Sequence, residues 1–325
     1  MMETEEQTLA FIDHGPRAKS ILTEVIMGLS LPQKTLPAKL LYDKRGSEIF
    51  EDICLLPSYY PTRTEKKILR ENAQEMLALM GEDPIIIEPG SGAAEKVRIL
   101  LSHMKGRKRF VPIEISREIL LRTCRELLDE YSDLELFPIC ADFTQEMVLP
   151  LSVKQDSGKK VIFFPGSTIG NLHPDEAKDF LRATTKVTGP GGGILIGVDR
   201  KKDPEKLRLA YNDPEGVTAD FNLNLLHRLN REVNAAFMVD NFRHEAIWNE
   251  EAGRIEMHLI SCLPQLVRVN QTVFRFHEGE TIHTENSYKY SVEEFTELGR
   301  KAGLTLRRYW EDKDGLFTVY YFENK

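Results

Sequence analysis

The chain has 325 residues and a formal net charge of −8, and its composition is 41% hydrophobic and 29% charged. These values are those of an ordinary globular protein with a large core, and the acidic balance argues against nucleic acid or an anionic membrane as partner. No apolar run approaches the roughly 18 residues of a membrane span, and the acidic N-terminus lacks the features of a signal peptide. The four cysteines have no metal-like spacing, so we expect free thiols, no bound metal and a cytoplasmic location. We also expect the protein to be a monomer.

The first strong signals lie between residues 62 and 104. Thr62-x-x-Glu65 is a capping box that predicts a helix beginning at Thr62. The apolar run Ile85–Ile87 then leads into Gly90-Ser91-Gly92 and an amphipathic segment, which predicts a buried strand, a glycine turn and a helix. Glycines allow the backbone to approach a ligand closely. Because Glu95 replaces the third glycine of a dinucleotide fingerprint and no P-loop lysine follows, S-adenosylmethionine is the favoured ligand.

Further strands alternate with helical patterns up to residue 198, which predicts a mostly parallel, doubly wound sheet. After Asp199 the pattern changes to a long helix and antiparallel strands, and the tail predicts a hairpin that turns near Asp314-Gly315. A terminal hairpin added to five parallel strands is typical of the methyltransferase variant of this fold. The predicted strands are Ile85–Ile87, Arg109–Ile115, Leu136–Ile139, Val161–Phe164, Gly193–Val198, Ile255–Ser261, Leu266–Phe276 and Thr284–Tyr290.

We therefore predict an α/β protein with a class I methyltransferase (Rossmann-like) core and a second, α+β lobe that binds the substrate. The core comprises residues 64–201, and the hairpin 303–325 completes its sheet. Residues 1–63 and 202–302 form the lobe over the carboxyl ends of the strands, where open α/β sheets bind ligands.

Several residues near these strand ends are candidates for cofactor binding. Glu114 ends the second strand roughly twenty residues after the glycine turn, where an acid reaches ribose hydroxyls; a solvated strand-end charge is the alternative. Asp142 and Phe143 offer a carboxylate and a ring for adenine, or a helix cap and a core aromatic. Lys96 lies in a first helical turn, where the helix dipole disfavours a cation. This position indicates a contact elsewhere, although a solvated lysine also fits.

Two segments are candidates for contacting an acceptor substrate. The loop from Gly166 to Asn171 follows the fourth strand and offers carbonyls, hydroxyls and an amide, although an ordinary connector has the same composition. Tyr59 and Tyr60 place two phenols before a predicted helix, which suits a polar organic substrate or interface packing.

Many spaced motifs, in order and from about residue 20 onward, resemble the histidine-specific Nα-methyltransferase family. Its members use S-adenosylmethionine to make hercynine (Nα-trimethylhistidine), the first intermediate of ergothioneine biosynthesis. The motifs are Leu41-Tyr42-Asp43-x-x-Gly46-Ser47, Leu56-Pro57-x-Tyr59-Tyr60-Pro61-Thr62-Arg63-Thr64-Glu65, Gly90-Ser91-Gly92 with Glu95-Lys96, Gly166–Asn171, Ala210-Tyr211-Asn212-Asp213, Gly216-Val217-Thr218-Ala219, Phe221-Asn222, Asn230-Arg231-Glu232, Arg254-Ile255-Glu256-Met257 and Thr284-Glu285-x-Ser287-x-Lys289.

The resemblance implies a role for each matched position. The implied cofactor-binding residues are Gly90, Lys96, Asp142 and Phe143, with Gly92 in the same turn and Glu114 where the family more often has Asp. The implied acceptor-binding residues are Asn171 and Tyr211 for the histidine carboxylate, Tyr42 and Tyr59 near the amine and ring, Gly166 in the acceptor loop, and Met257, Glu285 and Ser287 for the imidazole. Two positions depart from the family pattern: Glu114 replaces the usual Asp, and Pro89 replaces the usual leucine. We expect both departures to leave cofactor binding intact.

The implied reaction is in-line displacement at a sulfonium by a neutral amine, so the amine must lose a proton before each transfer. Phenols and a loop carbonyl can orient its lone pair, and no residue is nominated as general base. His258 and His283 lie near the implied imidazole site and are expected to be structural.

Three rival functions remain open from the residues. A methyltransferase of the same fold could act on another amino acid or small amine, but two polar anchors at Glu285 and Ser287 on one strand face favour an imidazole. An NAD oxidoreductase is disfavoured by Glu95. A non-catalytic S-adenosylmethionine-binding regulator is disfavoured by Tyr59, Asn171 and Tyr211.

Overall fold

The computed structural model describes residues 11–13, 18–145 and 147–325. The acidic N-terminus and the first residues of the predicted lobe lie outside this part of the chain. Within it, the helices are α1 Ala18–Leu29, α2 Lys44–Leu55, α3 Tyr60–Met80, α4 Glu95–Leu101, α5 Arg117–Glu130, α6 Leu151–Gln155, α7 Pro174–Thr188, α8 Pro204–Tyr211, α9 Val217–Glu232 and α10 Val292–Lys301. Short 3₁₀ turns cover Ala38–Leu41, Thr168–Asn171 and Val239–Asn241.

The strands of the same part of the chain form two larger sheets and a separate hairpin. They are β1 Ile12–Asp13, β2 Lys34–Thr35, β3 Ile85–Pro89, β4 Lys108–Glu114, β5 Leu134–Leu136, β6 Ile139–Cys140, β7 Lys160–Phe164, β8 Gly193–Asp199, β9 Phe242–Asn249, β10 Arg254–Ser261, β11 Gln265–Val269, β12 Thr272–Phe276, β13 Thr281–Tyr288, β14 Leu304–Glu311 and β15 Phe317–Asn324.

The large sheet has the order β1-β6-β4-β3-β7-β8-β15-β14, with β5 beside β4. Its neighbours are parallel from β1 to β8, whereas β15 runs antiparallel to both β8 and β14. The central strands are apolar on both faces because helices cover both. Ile86 packs with α3 and α4, whereas Ile85 and Ile87 pack with α7 and α10. This arrangement is the predicted class I methyltransferase fold.

The second sheet has the order β2-β13-β10-β9 and is antiparallel except for the β2–β13 pair. One apolar core joins it to α1, α2, α8 and α9, so segments far apart in the sequence pack together. Just after the end of β13, the Tyr290 N–H donates to the carbonyl of Asp199, the last residue of β8 in the large sheet, at 3.2 Å. The carboxyl edge of the large sheet therefore lies beside the second sheet.

Three local predictions were wrong or incomplete, and one strand was not predicted. The helix α3 begins at Tyr60 and not at Thr62, with Pro61 in its first turn, where proline is favoured. The predicted strand over residues 266–276 is a hairpin of β11 and β12, and its turn has Asn270 at a φ of 51°. The strand β9 was not predicted, and the predicted third strand is divided into β5 and β6.

Candidate active site

The glycine turn after β3 is held by the acid that ends β4. Gly90 has a φ of +71°, and a Cβ atom there would lie 3.3 Å from the Phe143 ring. Glu114 accepts the Gly92 N–H at 3.1 Å and the Ser116 N–H at 3.0 Å. Burial raises the pKa of Glu114, and these backbone donors oppose the increase. The predicted glycine turn and acid therefore lie in direct contact, with Gly92 (φ +48°) facing open space at its Cβ position.

Asp142 and Phe143 follow β6 at the same edge of the sheet. Asp142 accepts the Thr144 backbone N–H at 3.0 Å and pairs with Lys39 at 3.1 Å. Burial opposes its ionisation, but the Thr144 hydrogen bonds and the Lys39 charge outweigh burial and lower the pKa of Asp142. The Phe143 ring packs edge-on against Phe164, at 5.5 Å between centroids. Asp142 and Phe143 thus lie next to the glycine turn, and Lys39 connects them to the 3₁₀ turn of residues 38–41.

A cavity of about 130 Å³ lies between this edge and the second lobe. Ile115 and Ser116 line it from the end of β4, and Lys39 and Tyr42 line it from the opposite side. Of these residues, Tyr42 is a predicted acceptor residue, whereas Ile115 directly follows Glu114 and Lys39 pairs with Asp142.

Lys96 is joined to the acceptor loop by Glu65. Its Nζ atom lies 2.7 Å from Glu65 Oε2, and the same carboxylate accepts the Gly166 N–H at 2.8 Å. A Cβ atom at Gly197 of β8 would lie 1.8 Å from Glu65 Oε1, so a glycine is needed under the carboxylate. Burial alone would lower the pKa of Lys96, but the Glu65 charge raises it. Lys96 is therefore paired inside the protein, whereas a solvated lysine was the commoner expectation, and the capping-box interpretation of Glu65 missed this contact.

Glu88 is a second acid that the sequence interpretation left without a role. It lies in β3 and is only 2% exposed, and its Oε2 atom has no hydrogen-bond partner among the described residues. Burial raises its pKa well above the usual range, and Lys96 opposes this increase. An acidic residue within an otherwise apolar strand was the available signal.

The acceptor loop lies flat against β13. Gly166 has a φ of +84°, and a Cβ atom at Gly170 would lie 2.8 Å from the Tyr288 carbonyl oxygen. This close packing brings Asn171 over the strand, where its Nδ2 atom donates to Glu285 Oε1 at 3.1 Å. Two residues that are 114 positions apart in the sequence are therefore in contact.

Glu285 lies opposite Met257 in the register of β13 and β10. Its side chain is 8% exposed, and burial raises its pKa to about 7, although the Lys289 charge and the Asn171 hydrogen bond oppose this increase. Ser287 lies opposite Ile255, so Met257, Glu285 and Ser287 share the apolar face of the second sheet.

Three tyrosines surround this face. The Tyr59 and Tyr211 rings meet edge-on at 6.1 Å, and Tyr42 packs edge-on against Phe221 at 5.4 Å. Burial is the main cause that raises the pKa of Tyr42, Tyr59 and Tyr211. The phenols are therefore protonated at neutral pH and act as hydrogen-bonding groups.

A buried ion pair lies behind Tyr211 and Ser287. Lys289 Nζ is 2.7 Å from Asp199 Oδ2, and both side chains are fully buried. Tyr60 donates to Asp199 at 2.8 Å, and Lys202 pairs with the same carboxylate. Sequence reasoning assigned no role to Lys289 or Asp199, although Lys289 ends one of the resembling motifs.

His258 and His283 lie on the opposite face of the second sheet. Their rings stack at 4.8 Å, and His258 contacts Glu256 at 3.1 Å. The three side chains offer nitrogen and oxygen atoms within 4.8 Å of one another. Because Arg254 pairs with Glu256 at 2.6 Å, the carboxylate is already neutralised.

The predicted site residues thus form two neighbouring groups. One surrounds the glycine turn and the other surrounds Glu285, and Glu65 links them through Lys96 and Gly166. No helix in the described ranges is both long enough and apolar enough to cross a membrane.

The sequence is similar to those of known methyltransferases. Residues 21–324 match the family described as "Histidine-specific methyltransferase, SAM-dependent". The chain is 40% identical over 299 residues to histidine N-alpha-methyltransferase of Mycobacterium tuberculosis, covering 90% of this chain and 92% of that protein. It is 33% identical to ergothioneine biosynthesis protein 1 of Neurospora crassa, covering 85% of this chain and 32% of that protein. It is 28% identical to 4-dimethylallyltryptophan N-methyltransferase of Penicillium roqueforti, covering 90% of each chain. The protein therefore belongs to the family of S-adenosylmethionine-dependent, histidine-specific methyltransferases.

Proposed function

We propose that the protein methylates the α-amino nitrogen of L-histidine three times, forming hercynine in the first step of ergothioneine biosynthesis. The observation that carries this proposal is Glu285. A buried carboxylate is costly without a polar partner, and this one lies beside Ser287 and Asn171 on the face lined by Tyr42, Tyr59 and Tyr211. Such a pocket suits a small zwitterion with a polar ring.

The residues around the glycine turn fit S-adenosylmethionine. The left-handed turn at Gly90 lets the backbone approach a ligand, and Glu114 ends the adjacent strand where ribose hydroxyls are bound in this fold. Gly92 belongs to the same turn. Lys96 would hold the carboxylate of the cofactor, and Asp142 and Phe143 would contact its adenine. When bound, the cofactor supplies a methyl group on a positively charged sulfur.

The acceptor residues divide by the part of histidine that they recognise. Asn171 and Tyr211 would donate hydrogen bonds to the substrate carboxylate, whereas Glu285 and Ser287 would contact the imidazole. Met257 packs against the ring.

The chemistry requires alignment and a neutral amine. Holding the amine in line with the methyl group and sulfur can supply several kcal/mol of the barrier. A buried, water-poor pocket disfavours the ammonium form and so lowers the pKa of the substrate amine. Tyr42, Tyr59 and the Gly166 carbonyl would then orient the nitrogen lone pair.

We further propose that the chain divides into a cofactor-binding core and a substrate-binding lobe and acts as a cytoplasmic monomer. The predicted core is residues 64–201 with the hairpin 303–325, and the predicted lobe is residues 1–63 and 202–302. Because β1 pairs with β6 of the large sheet and α10 packs beside β3, we assign these two elements to the core instead. The separate apolar core of the second sheet supports this division, and the four free cysteines suit a reducing compartment.

The main alternative is methylation of a different amino acid by the same fold. The relative from P. roqueforti, whose name describes a tryptophan derivative as substrate, supports this alternative. Glu285 and Ser287 together favour histidine, because an imidazole offers a ring nitrogen to each of them, whereas an indole offers a single N–H donor.

The deciding experiment is mass spectrometry of L-histidine incubated with the protein and S-adenosylmethionine. We expect products with one, two and three added methyl groups, all on the α-nitrogen by fragmentation. Phenylalanine, tryptophan and histamine serve as parallel acceptors. Methylation of another acceptor at a rate equal to or above that of histidine contradicts the proposal.

A further inference from the structure

Lys289 uses all three of its ammonium hydrogens inside the protein. It pairs with Asp199 at 2.7 Å and donates to Ser287 Oγ at 2.8 Å and to Tyr211 Oη at 3.0 Å. The side chain is fully buried, so Lys289 does not itself reach a ligand. Its influence on the site must pass through the two hydroxyl groups.

The hydrogen positions follow from counting donors and acceptors. Tyr211 Oη and Ser287 Oγ lie 2.8 Å apart and share one hydrogen bond, which uses one of their two hydroxyl hydrogens. Each oxygen also accepts from Lys289, and neither has another partner among the described residues. One hydroxyl hydrogen is therefore left over, and it is available for donation to a bound ligand.

The local charge has the sign that an anion requires. Two buried lysines, Lys289 and Lys202, face one carboxylate, that of Asp199. Of the two ammonium groups, only that of Lys289 contacts Tyr211 and Ser287, whereas that of Lys202 contacts Tyr60. Because a phenol is a stronger acid than an aliphatic hydroxyl, Tyr211 is the better donor to a carboxylate. Ser287 then donates to Tyr211 and keeps a lone pair for a ring N–H.

We propose that Lys289 is a positioning residue that sets the direction of this hydrogen-bond chain, so that Tyr211 donates to the carboxylate of the acceptor and Ser287 accepts from its ring. The inference rests on the proposed function, because it specifies how the same site distinguishes an amino acid from its decarboxylated amine. Lys289 thereby selects for substrates that carry an α-carboxylate.

The test compares two lysines that share one partner. K289M removes the cation that contacts Tyr211 and Ser287, whereas K202M removes the other cation of Asp199, which contacts Tyr60 instead. For each variant, the ratio of kcat/KM for histidine to that for histamine is measured. We expect K289M to lower this ratio at least about tenfold, which corresponds to about 1.4 kcal/mol. Most of the loss should come from a higher KM for histidine. K202M should keep the ratio within about twofold of wild type.

A double-mutant cycle tests whether the effect passes through the phenol. In a Y211F background, K289M should change the ratio by less than about twofold, because the donor that Lys289 orients is gone. An unchanged ratio in a folded K289M protein, an equal loss in K202M, or full additivity with Y211F would overturn the proposal.

Two further measurements separate the possible failures. Binding of S-adenosylhomocysteine and thermal unfolding report whether each variant is folded, and if K289M does not fold, D199N/K289M removes both charges and is measured in the same way. If wild type prefers an amino acid other than histidine, the proposed function fails. The ratio is then measured for that amino acid and its own decarboxylated amine, so the role of Lys289 is still decided.

Discussion

Glu65 accepts a hydrogen bond from the backbone N–H of Gly166 at 2.8 Å. The same carboxylate pairs with Lys96, so one buried acid at the beginning of α3 connects a predicted cofactor lysine to the predicted acceptor loop. A single side chain therefore joins the two elements that we propose to bind the methyl donor and the acceptor.

Replacing Glu65 by Ala should destabilise the protein substantially. The change removes the partner of a mostly buried lysine and leaves the Gly166 N–H unpaired, which costs roughly 3 kcal/mol. Glu71 on the same helix is a matched control, because its ion pair with Lys67 is exposed and costs under about 1 kcal/mol when removed. Urea denaturation of E65A and E71A measures the difference, and equal losses in the two variants contradict the assignment.

Gly90→Val should abolish binding of S-adenosylhomocysteine. A valine side chain at this left-handed turn would lie against Phe143. It would fill the space where the protein backbone has to approach the cofactor. Gly189→Val is the control, because Gly189 has a similar φ of +69° but faces open space away from the site. Calorimetry should detect binding of S-adenosylhomocysteine, and no binding of NAD, to the wild-type protein and to G189V. Wild-type affinity in G90V would remove the turn from the cofactor site.

Glu285→Ala should narrow the preference for histidine over phenylalanine. A hydrogen bond to a charged group is worth about 1.5–3 kcal/mol, so the ratio of kcat/KM for the two amino acids should fall roughly ten- to a hundredfold. Glu245→Gln changes a carboxylate on β9 of the same sheet that pairs with Arg243 at the surface, and it should leave the ratio unchanged. A ratio unaffected by E285A places Glu285 outside the acceptor site.

The raised pKa of Glu285 predicts a pH-dependent stability. In the unfolded chain the carboxyl releases its proton near pH 4.5, but in the folded protein its pKa is about 7. Between these values the folded state binds more protons, so stability falls as pH rises through this window and is then constant. Relative to wild type, E285Q should gain about 2–3 kcal/mol between pH 5 and pH 8. Urea denaturation at several pH values provides the measurement, and parallel curves contradict the shift.

Much of this arrangement was predictable because it depends on local patterns. The apolar strand Ile85–Ile87 and the glycine turn indicated the nucleotide-binding edge, and the motifs identified the family, which the comparisons confirm. The hairpin of β14 and β15 followed from its turn residues. These features are encoded by residues that are close together in the sequence.

The features that sequence reasoning missed depend on contacts between distant segments. Glu65 has the spacing of a capping box, but its carboxylate is instead used by Gly166, 101 positions away. Lys289 and Asp199 are joined only by the meeting of β13 with the end of β8. His283 was expected to be structural although it lies close in sequence to the imidazole-recognising positions, and the sequence alone did not show that it lies on the other face of the sheet, beside His258.

The irregularity in the pairing of β10 and β13 explains why His283 and Glu285 lie on opposite faces of the sheet. Met257 pairs with Glu285 and His258 pairs with His283, so Thr284 is an extra residue in the strand. A bulge of this kind reverses the alternation of side chains beyond it. Without the bulge, a β13 that still contained Thr284 would alternate regularly and place His283 on the same face as Glu285 and Ser287. The extra residue therefore decides which side chains of one strand reach the acceptor face, although the sequence itself would be unchanged.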